Sequence, residues 1–215
     1  MDNKIDKFFE VLTSNNVSMY VEPIENQINY IKPDDDYDLH TYRILLLLLK
    51  CGIVKQVVSS HNLIYGREKF AFCDFLLRYP YYLYVVVQIC KKPELLEKIN
   101  LKPHEQFEVL TPMVRYIRGP WDFRYNQIFS YMVSKRLVDI RFTNTTKSGK
   151  KQFCIVLTSL GTKVAKEIEH IEKEWVNRMD VITKIFPNRT ANEKIKEFVQ
   201  MNFPELTLGG EVNVY

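Results

Sequence analysis

Six consecutive apolar residues, Ile44 to Leu49, restrict the fold of this sequence more than any other feature. They belong to a stretch from Tyr42 to Cys51 that is apolar on almost every side of a helix and is followed by Gly52, a residue type that often ends helices. Such a helix must be covered all round. The run is also far shorter than the ~20 residues of a membrane-spanning helix. It therefore predicts a buried helix and no transmembrane segment.

Length and composition are those of a compact globular protein. The chain has 215 residues, of which 46% are hydrophobic and 26% charged, so one large domain or two small ones fit. Its first residues mix acids with lysines and lack the apolar segment of a secretion signal, so we expect a cytoplasmic protein. The cysteine spacing matches neither a zinc knuckle nor a disulfide framework, which predicts reduced and mainly buried thiols. The four cysteines are Cys51, Cys73, Cys90 and Cys154.

Charge is distributed unevenly along the chain. Residues 1–40 contain three lysines and nine acids, a net −6, whereas residues 111–166 contain eleven basic residues and two acids, a net +9. A local excess of one sign attracts phosphate or an acidic protein face, and double-stranded DNA is the partner we expect. Ordinary solvated lysines and arginines are the alternative. The candidate DNA-binding residues are Arg124, Lys135, Arg136, Arg141, Lys147, Lys150 and Lys151.

Helical periodicity dominates the first half of the sequence. Apolar residues recur at spacings of three and four between Arg67 and Pro80, which predicts a helix that ends before the proline. A further helix is expected from Tyr81 to Lys92 and completes a three-helix unit. The expected organisation is an acidic N-terminal extension (1–40), a helical, winged-helix-like module (41–92), a connection (93–110), a winged-helix module with a basic wing (111–179), and C-terminal helices with a tail (180–215).

A helix, a hairpin and a second helix are expected in the later module. Gly119 and Pro120 resemble a helix start, with Asp122 placed favourably for the helix dipole. Two stretches with alternating apolar residues predict a hairpin, Val138 to Thr143 and Gln152 to Thr158. Thr158 and Ser159 then offer N-cap oxygens to a helix that runs toward Met179. The predicted fold class is mainly α with a small β-hairpin, winged-helix-like and compatible with two winged helices in tandem, with extra C-terminal helices.

Catalytic motifs are absent from the sequence. The four histidines lie outside metal-ligand spacings, and no phosphate loop, nucleophile elbow or poised pair of carboxylates is present. We therefore expect neither catalytic residues, nor a metal, nor a cofactor.

Two motifs resemble a specific family. They comprise Lys69, Asp74, Phe75, Leu77, Arg78, Tyr79 and Pro80, then Met113, Arg115, Tyr116, Gly119, Pro120, Trp121, Asp122 and Tyr125. The segment from Tyr42 to Lys166 is similar to the middle component of three-component ABC systems, the small accessory subunit of Lamassu-type antiphage defence. The resemblance implies a noncatalytic subunit that couples an SMC-like coiled-coil ABC ATPase, and an effector that is often a nuclease, to DNA recognition.

Two other functions remain open from the sequence. One is a free-standing winged-helix transcriptional regulator, and the other is a protein adaptor whose basic patch meets an acidic coiled coil. Asp74 and Arg78 stand four residues apart, so they can form an ion pair inside the protein or face the ATPase. Trp121 fits a core anchor or an interface. The closing segment is either a frayed terminus or a strand-like surface that docks on a partner through Val212, Val214 and Tyr215.

Overall fold

The structure is a computed structural model that describes Lys7, Glu10, Val11, Thr13–Asn15 and residues 36–106, 114–116, 119–143 and 151–206. Its contacts divide the chain into two compact units, Met1–Asp35 and Asp36–Tyr215. In the first unit the described residues from Lys7 to Ser14 are helical and exposed. The acidic extension predicted for 1–40 is therefore too long, because residues 37–40 already belong to a helix of the second unit.

The described part of the second unit is mostly helical, with a small antiparallel four-stranded sheet. Its helices are α1 (Tyr37–Cys51), α2 (Arg67–Arg78), α3 (Pro80–Ile89), α4 (Leu96–Ile99), α5 (Tyr125–Ser134), α6 (Ser159–Ile171), α7 (Lys173–Ile185) and α8 (Asn192–Asn202). Its strands are β1 (Ile53–Lys55), β2 (Ser59–Tyr65), β3 (Val114–Tyr116), β4 (Gly119–Trp121), β5 (Val138–Thr143) and β6 (Gln152–Leu157). Single 3-10 turns occur at Pro93–Leu95, Pro103–Glu105 and Pro204–Leu206.

Helix α1 is the buried helix that the apolar run predicts. Residues Ile44 to Leu48 are at most 1% exposed, and α1 packs against α6 and α7. Asp36 caps its start by accepting hydrogen bonds from the backbone N–H groups of Asp38 and Leu39. Gly52 directly follows the helix and has a φ of −80°. This angle is not left-handed, so the backbone conformation does not require glycine at this position. A Cβ at Gly52 would collide with the carbonyl oxygen of Leu48, so the close approach is what requires glycine.

The sheet joins two hairpins in the order β1-β2-β6-β5. Strands β5 and β6 form the hairpin that alternation predicts, with Val138 opposite Leu157. The hairpin of β1 and β2 is not predicted by the sequence, because its polar residues obscure the alternation. Strand β2 pairs with β6, with Leu63 opposite Val156. Consequently, ranges 41–92 and 111–179 share one sheet, and one core cluster extends from Ile44 to Leu206 across both.

Two predicted helices differ from the structure. The helix expected to open at Gly119 is wrong, because Gly119 and Pro120 belong to β4, which pairs with β3, and α5 begins only at Tyr125. Gly119 has a φ of +126°, which lies outside the helical region. The helix expected to run toward Met179 is broken at Glu172, where φ is −89° and ψ is 65°. The break lets α7 fold back and pack on α1, which buries Met179.

The cysteines are mainly buried. Three of the four cysteines are buried, as predicted, whereas Cys90 is partly exposed, and all four are free thiols.

Among the described residues no single helix has the length and hydrophobicity needed to cross a membrane. Helices α2 and α3 meet that requirement only as a pair, and a bend of 110° separates them.

Candidate nucleic-acid interface

A buried ion pair joins α1, α2 and α5. The Arg43 guanidinium donates two hydrogen bonds to the Asp74 carboxylate, at 2.7 and 3.1 Å, and the Tyr125 hydroxyl donates a third at 2.7 Å. Burial alone would raise the pKa of Asp74, but the charge and hydrogen bonds of Arg43, helped by Arg78 and Tyr125, outweigh it and hold that pKa below its ordinary value. Asp74 is therefore a charged group in the core that fixes the position of α5.

A second buried carboxylate lies just before α5. Asp122 accepts hydrogen bonds from the guanidinium of Arg78 at 2.7 Å and from that of Arg124 at 2.9 and 2.8 Å. Burial again acts to raise the pKa of Asp122, but the two arginines lower it well below its ordinary value. The sequence did not reveal the ion pairs of Arg43 with Asp74 and of Arg78 with Asp122. Arg78 bonds to Asp122, which ties α2 to the turn before α5, and it acts on Asp74 through its charge.

The other motif residues whose side chains the structure describes lie inside the protein or beside the core. The Lys69 ammonium is buried and donates to the carbonyls of Asn188 and Thr190, while Pro80 is buried at the first position of α3. Tyr79 is partly buried. Trp121 is also partly buried and packs edge-to-face on Tyr125, with ring centroids 4.9 Å apart. Arg115 lies in β3, but its side chain is outside the described residues.

Helix α5, whose start is held by these contacts, has one buried side and one exposed side. Tyr125, Ile128, Phe129 and Met132 face the core. The opposite side carries amide and hydroxyl groups together with one valine that is 43% exposed. The exposed residues are Asn126, Gln127, Ser130, Val133 and Ser134.

Exposed cations follow α5 in the chain and precede β6. Lys135 and Arg136 follow directly after the helix, and Lys151 precedes β6; all three are exposed. Arg141 on β5 is half-exposed, and its guanidinium donates to the carbonyl of Val58 and to Asp139. Arg124 does not belong to this surface, because it is 9% exposed and neutralised by Asp122. Lys147 and Lys150, like the tail residues Val212, Val214 and Tyr215, lie outside the described residues.

A groove of about 480 Å³ runs between α5 and the hairpin of β5 and β6. Nothing in the sequence singles it out, because its walls come from three distant segments. Arg67, at the start of α2, closes one side, with its guanidinium stacked over the rings of Trp121 and Phe153. The groove is lined by Arg67, Asn126, Phe129, Ser130, Val133, Ser134, Ile140, Phe142 and Phe153.

His61 bridges the sheet to the start of α6. Its Nε2 atom lies 3.1 Å from the Ser159 hydroxyl, and its Nδ1 atom lies 3.4 Å from the hydroxyl of Thr162. That hydroxyl donates to the carbonyl of Thr158, which is the one of the two predicted N-cap residues that caps α6. The contacts therefore link β2 to α6. Within the described residues no group of three or more histidines, cysteines and carboxylates has a geometry that could hold a metal ion.

Comparisons of the chain with protein-family models, with curated proteins and with solved structures found no match.

Proposed function

We propose that this protein is the noncatalytic, DNA-contacting subunit of a cytoplasmic defence complex built around an SMC-like coiled-coil ABC ATPase and an effector nuclease. The ATPase and the effector come from the resemblance of the two sequence motifs. The DNA contact has separate support in the geometry of α5 and the hairpin. These two sources are independent of each other, so each is tested by its own experiment.

The order of the elements carries the DNA-contacting part of the proposal. In winged-helix domains a helix, a strand, two helices and a two-stranded wing follow one another, and the third helix enters the major groove. Here α1, β2, α2, α5, β5 and β6 occur in that order, and β2 pairs with β6. Residues 79–124 are then an insertion between the second and third helices. This arrangement favours one winged helix assembled from both predicted modules over two in tandem.

The chemistry of α5 suits a helix that lies in a groove of DNA. Asparagine and glutamine side chains read base edges in the major groove, and serine hydroxyls bond to bases or phosphates. Asn126, Gln127 and Ser130 supply these groups from the exposed side of α5. The exposed Lys135 and Arg136 at its end, and Lys151 on the hairpin, are placed to neutralise phosphates.

The affinity for duplex DNA should depend on these cations through salt. Each phosphate contact releases counterions, so the logarithm of the association constant falls by ~0.9 per contact for every tenfold rise in salt. Replacing Lys135, Arg136 and Lys151 together by glutamate should weaken binding and make this slope shallower by about 2.7 if each makes one contact. Fluorescence anisotropy of a labelled duplex over a range of salt concentrations measures both effects.

A matched control separates local contacts from total charge. Lys91, Lys98 and Lys184 are exposed and lie on the turn after α3, on α4 and on α7. Their replacement by glutamate changes the net charge by the same amount, and we expect the salt slope to stay at the wild-type value. Equal slopes in the wild type and in the Lys135, Arg136 and Lys151 variant would instead remove this surface from DNA binding and favour a protein adaptor.

A further inference from the structure

We propose that the groove between α5 and the hairpin of β5 and β6 binds one unpaired nucleotide of DNA, with its base on the phenyl rings and its phosphate on Arg67. The inference rests on the proposed DNA contact and adds to it a preference for unpaired nucleotides. A site of this kind would direct the protein to DNA that is bulged, frayed or single-stranded, in addition to the paired duplex held by the surrounding cations.

One wall of the groove is aromatic and open to a ligand. Phe142 on β5 is 59% exposed, although a phenyl ring gains stability mainly when it is buried. Its ring meets that of Phe153 edge-to-face at 5.8 Å, and Phe153 in turn contacts Phe129 at 6.1 Å. An exposed ring held in place by other rings is the platform on which nucleic-acid bases stack.

The other wall is polar and follows a single stripe of α5. Asn126, Ser130 and Ser134 are spaced four residues apart and line the same groove. The two serine hydroxyls donate to the carbonyls of Asn126 and Tyr131, so their oxygens remain able to accept a hydrogen bond. The Asn126 amide has no partner among the described residues. A base has flat apolar faces and an edge of donors and acceptors, which matches these two walls.

Arg67 supplies the charge that a phosphate requires. Its guanidinium lies 5.0 Å from the ring centre of Phe153 and 5.7 Å from that of Trp121, so two rings hold it in one orientation. It forms no ion pair or hydrogen bond with the described residues. Arg67 also occupies the first position of α2, where the positive end of the helix dipole disfavours a cation. An anionic ligand is the group that would favour arginine there.

A nucleotide accounts for the groove better than an acidic peptide does. A peptide carboxylate would satisfy Arg67, but it would leave the phenyl platform and the amide of Asn126 without matched partners. A nucleotide places a ring, a polar edge and a phosphate within one residue of its chain. The net charge of +9 over residues 111–166 also matches the repeated charge of a nucleic-acid strand.

Binding of three labelled DNA probes to the full chain tests the inference. The probes are a duplex of about 20 base pairs, the same duplex with one bulged nucleotide, and a single strand of the same length, which exceeds the ~4–16 nucleotides of typical single-strand sites. Phe142→Ala should weaken binding of the bulged and single-stranded probes about tenfold, as loss of one stacking contact does, and leave the paired duplex within about twofold. Arg67→Gln should act in the same direction.

Phe123→Ala is the matched control, because this phenyl ring is 67% exposed but does not line the groove. It should leave all three affinities unchanged, and thermal unfolding should show that every variant is folded. An equal effect of Phe142→Ala on paired and bulged duplexes would overturn the inference and leave the proposed DNA contact intact. If the wild type binds none of the probes, both fail. If Phe142→Ala spares DNA binding but prevents capture of the ATPase, the occupant is a protein and the inference is wrong.

Discussion

Replacing Asp74 by alanine is expected to lower the free energy of unfolding by about 3–5 kcal/mol, because it leaves the charge of Arg43 buried without its partner. Asp74 is fully buried, and Arg43 is 5% exposed, so water cannot replace the lost carboxylate. The variant also removes the acceptor of the Tyr125 hydroxyl. Urea denaturation followed by circular dichroism measures the change.

Two further variants test whether the loss of stability comes from the buried charge left without its partner. Asp139→Ala removes a carboxylate from a half-exposed pair with Arg141, and should cost no more than about 1 kcal/mol. Asp74→Leu combined with Arg43→Met removes both charges and should recover part of the loss, because apolar replacements of a whole buried pair are often tolerated. An Asp74→Ala protein that unfolds within about 1 kcal/mol of the wild type would show that the pair does not hold α1 to α2.

Replacing Asp122 by alanine is expected to have an effect of the same size, about 3–5 kcal/mol, for a different reason. This carboxylate is 1% exposed and accepts hydrogen bonds from both Arg78 and Arg124, so its loss removes one buried negative charge from two guanidinium groups. Asp122→Asn keeps the shape and one oxygen acceptor, so it should cost less than Asp122→Ala when both are compared by urea denaturation. An Asp122→Asn protein as stable as the wild type would show that the charge of Asp122 contributes nothing.

Local patterns predicted the elements that depend on local signals. Strand β5 has alternating apolar residues, and α2 ends at Arg78, with Tyr79 as its C-cap directly before Pro80. The pairing of β2 with β6 joins residues far apart in sequence, and no local pattern reveals it. The positive φ of Gly119 in β4 is likewise not revealed by the dipeptide, which alone resembles a helix start.

The candidate interface was predicted less well, because charge counts do not show burial. Arg124 and Arg136 look alike in the sequence, but Asp122 neutralises the first inside the protein while the second is exposed. The spacing of four residues allows Arg78 to pair with Asp74, but no local pattern reveals that Arg43, on another helix, donates two hydrogen bonds to Asp74. Arg67 and Phe142 form one groove only after the sheet and α5 have assembled.

Capture of the protein from its native host tests the central claim most directly. A tagged chain, expressed at its own locus, is purified, and its partners are identified by mass spectrometry and by the mass of the complex. The proposed function predicts a stable assembly with an SMC-like coiled-coil ATPase encoded beside it. A chain recovered alone, or as a homodimer bound at a promoter, would contradict the account and favour a free-standing regulator.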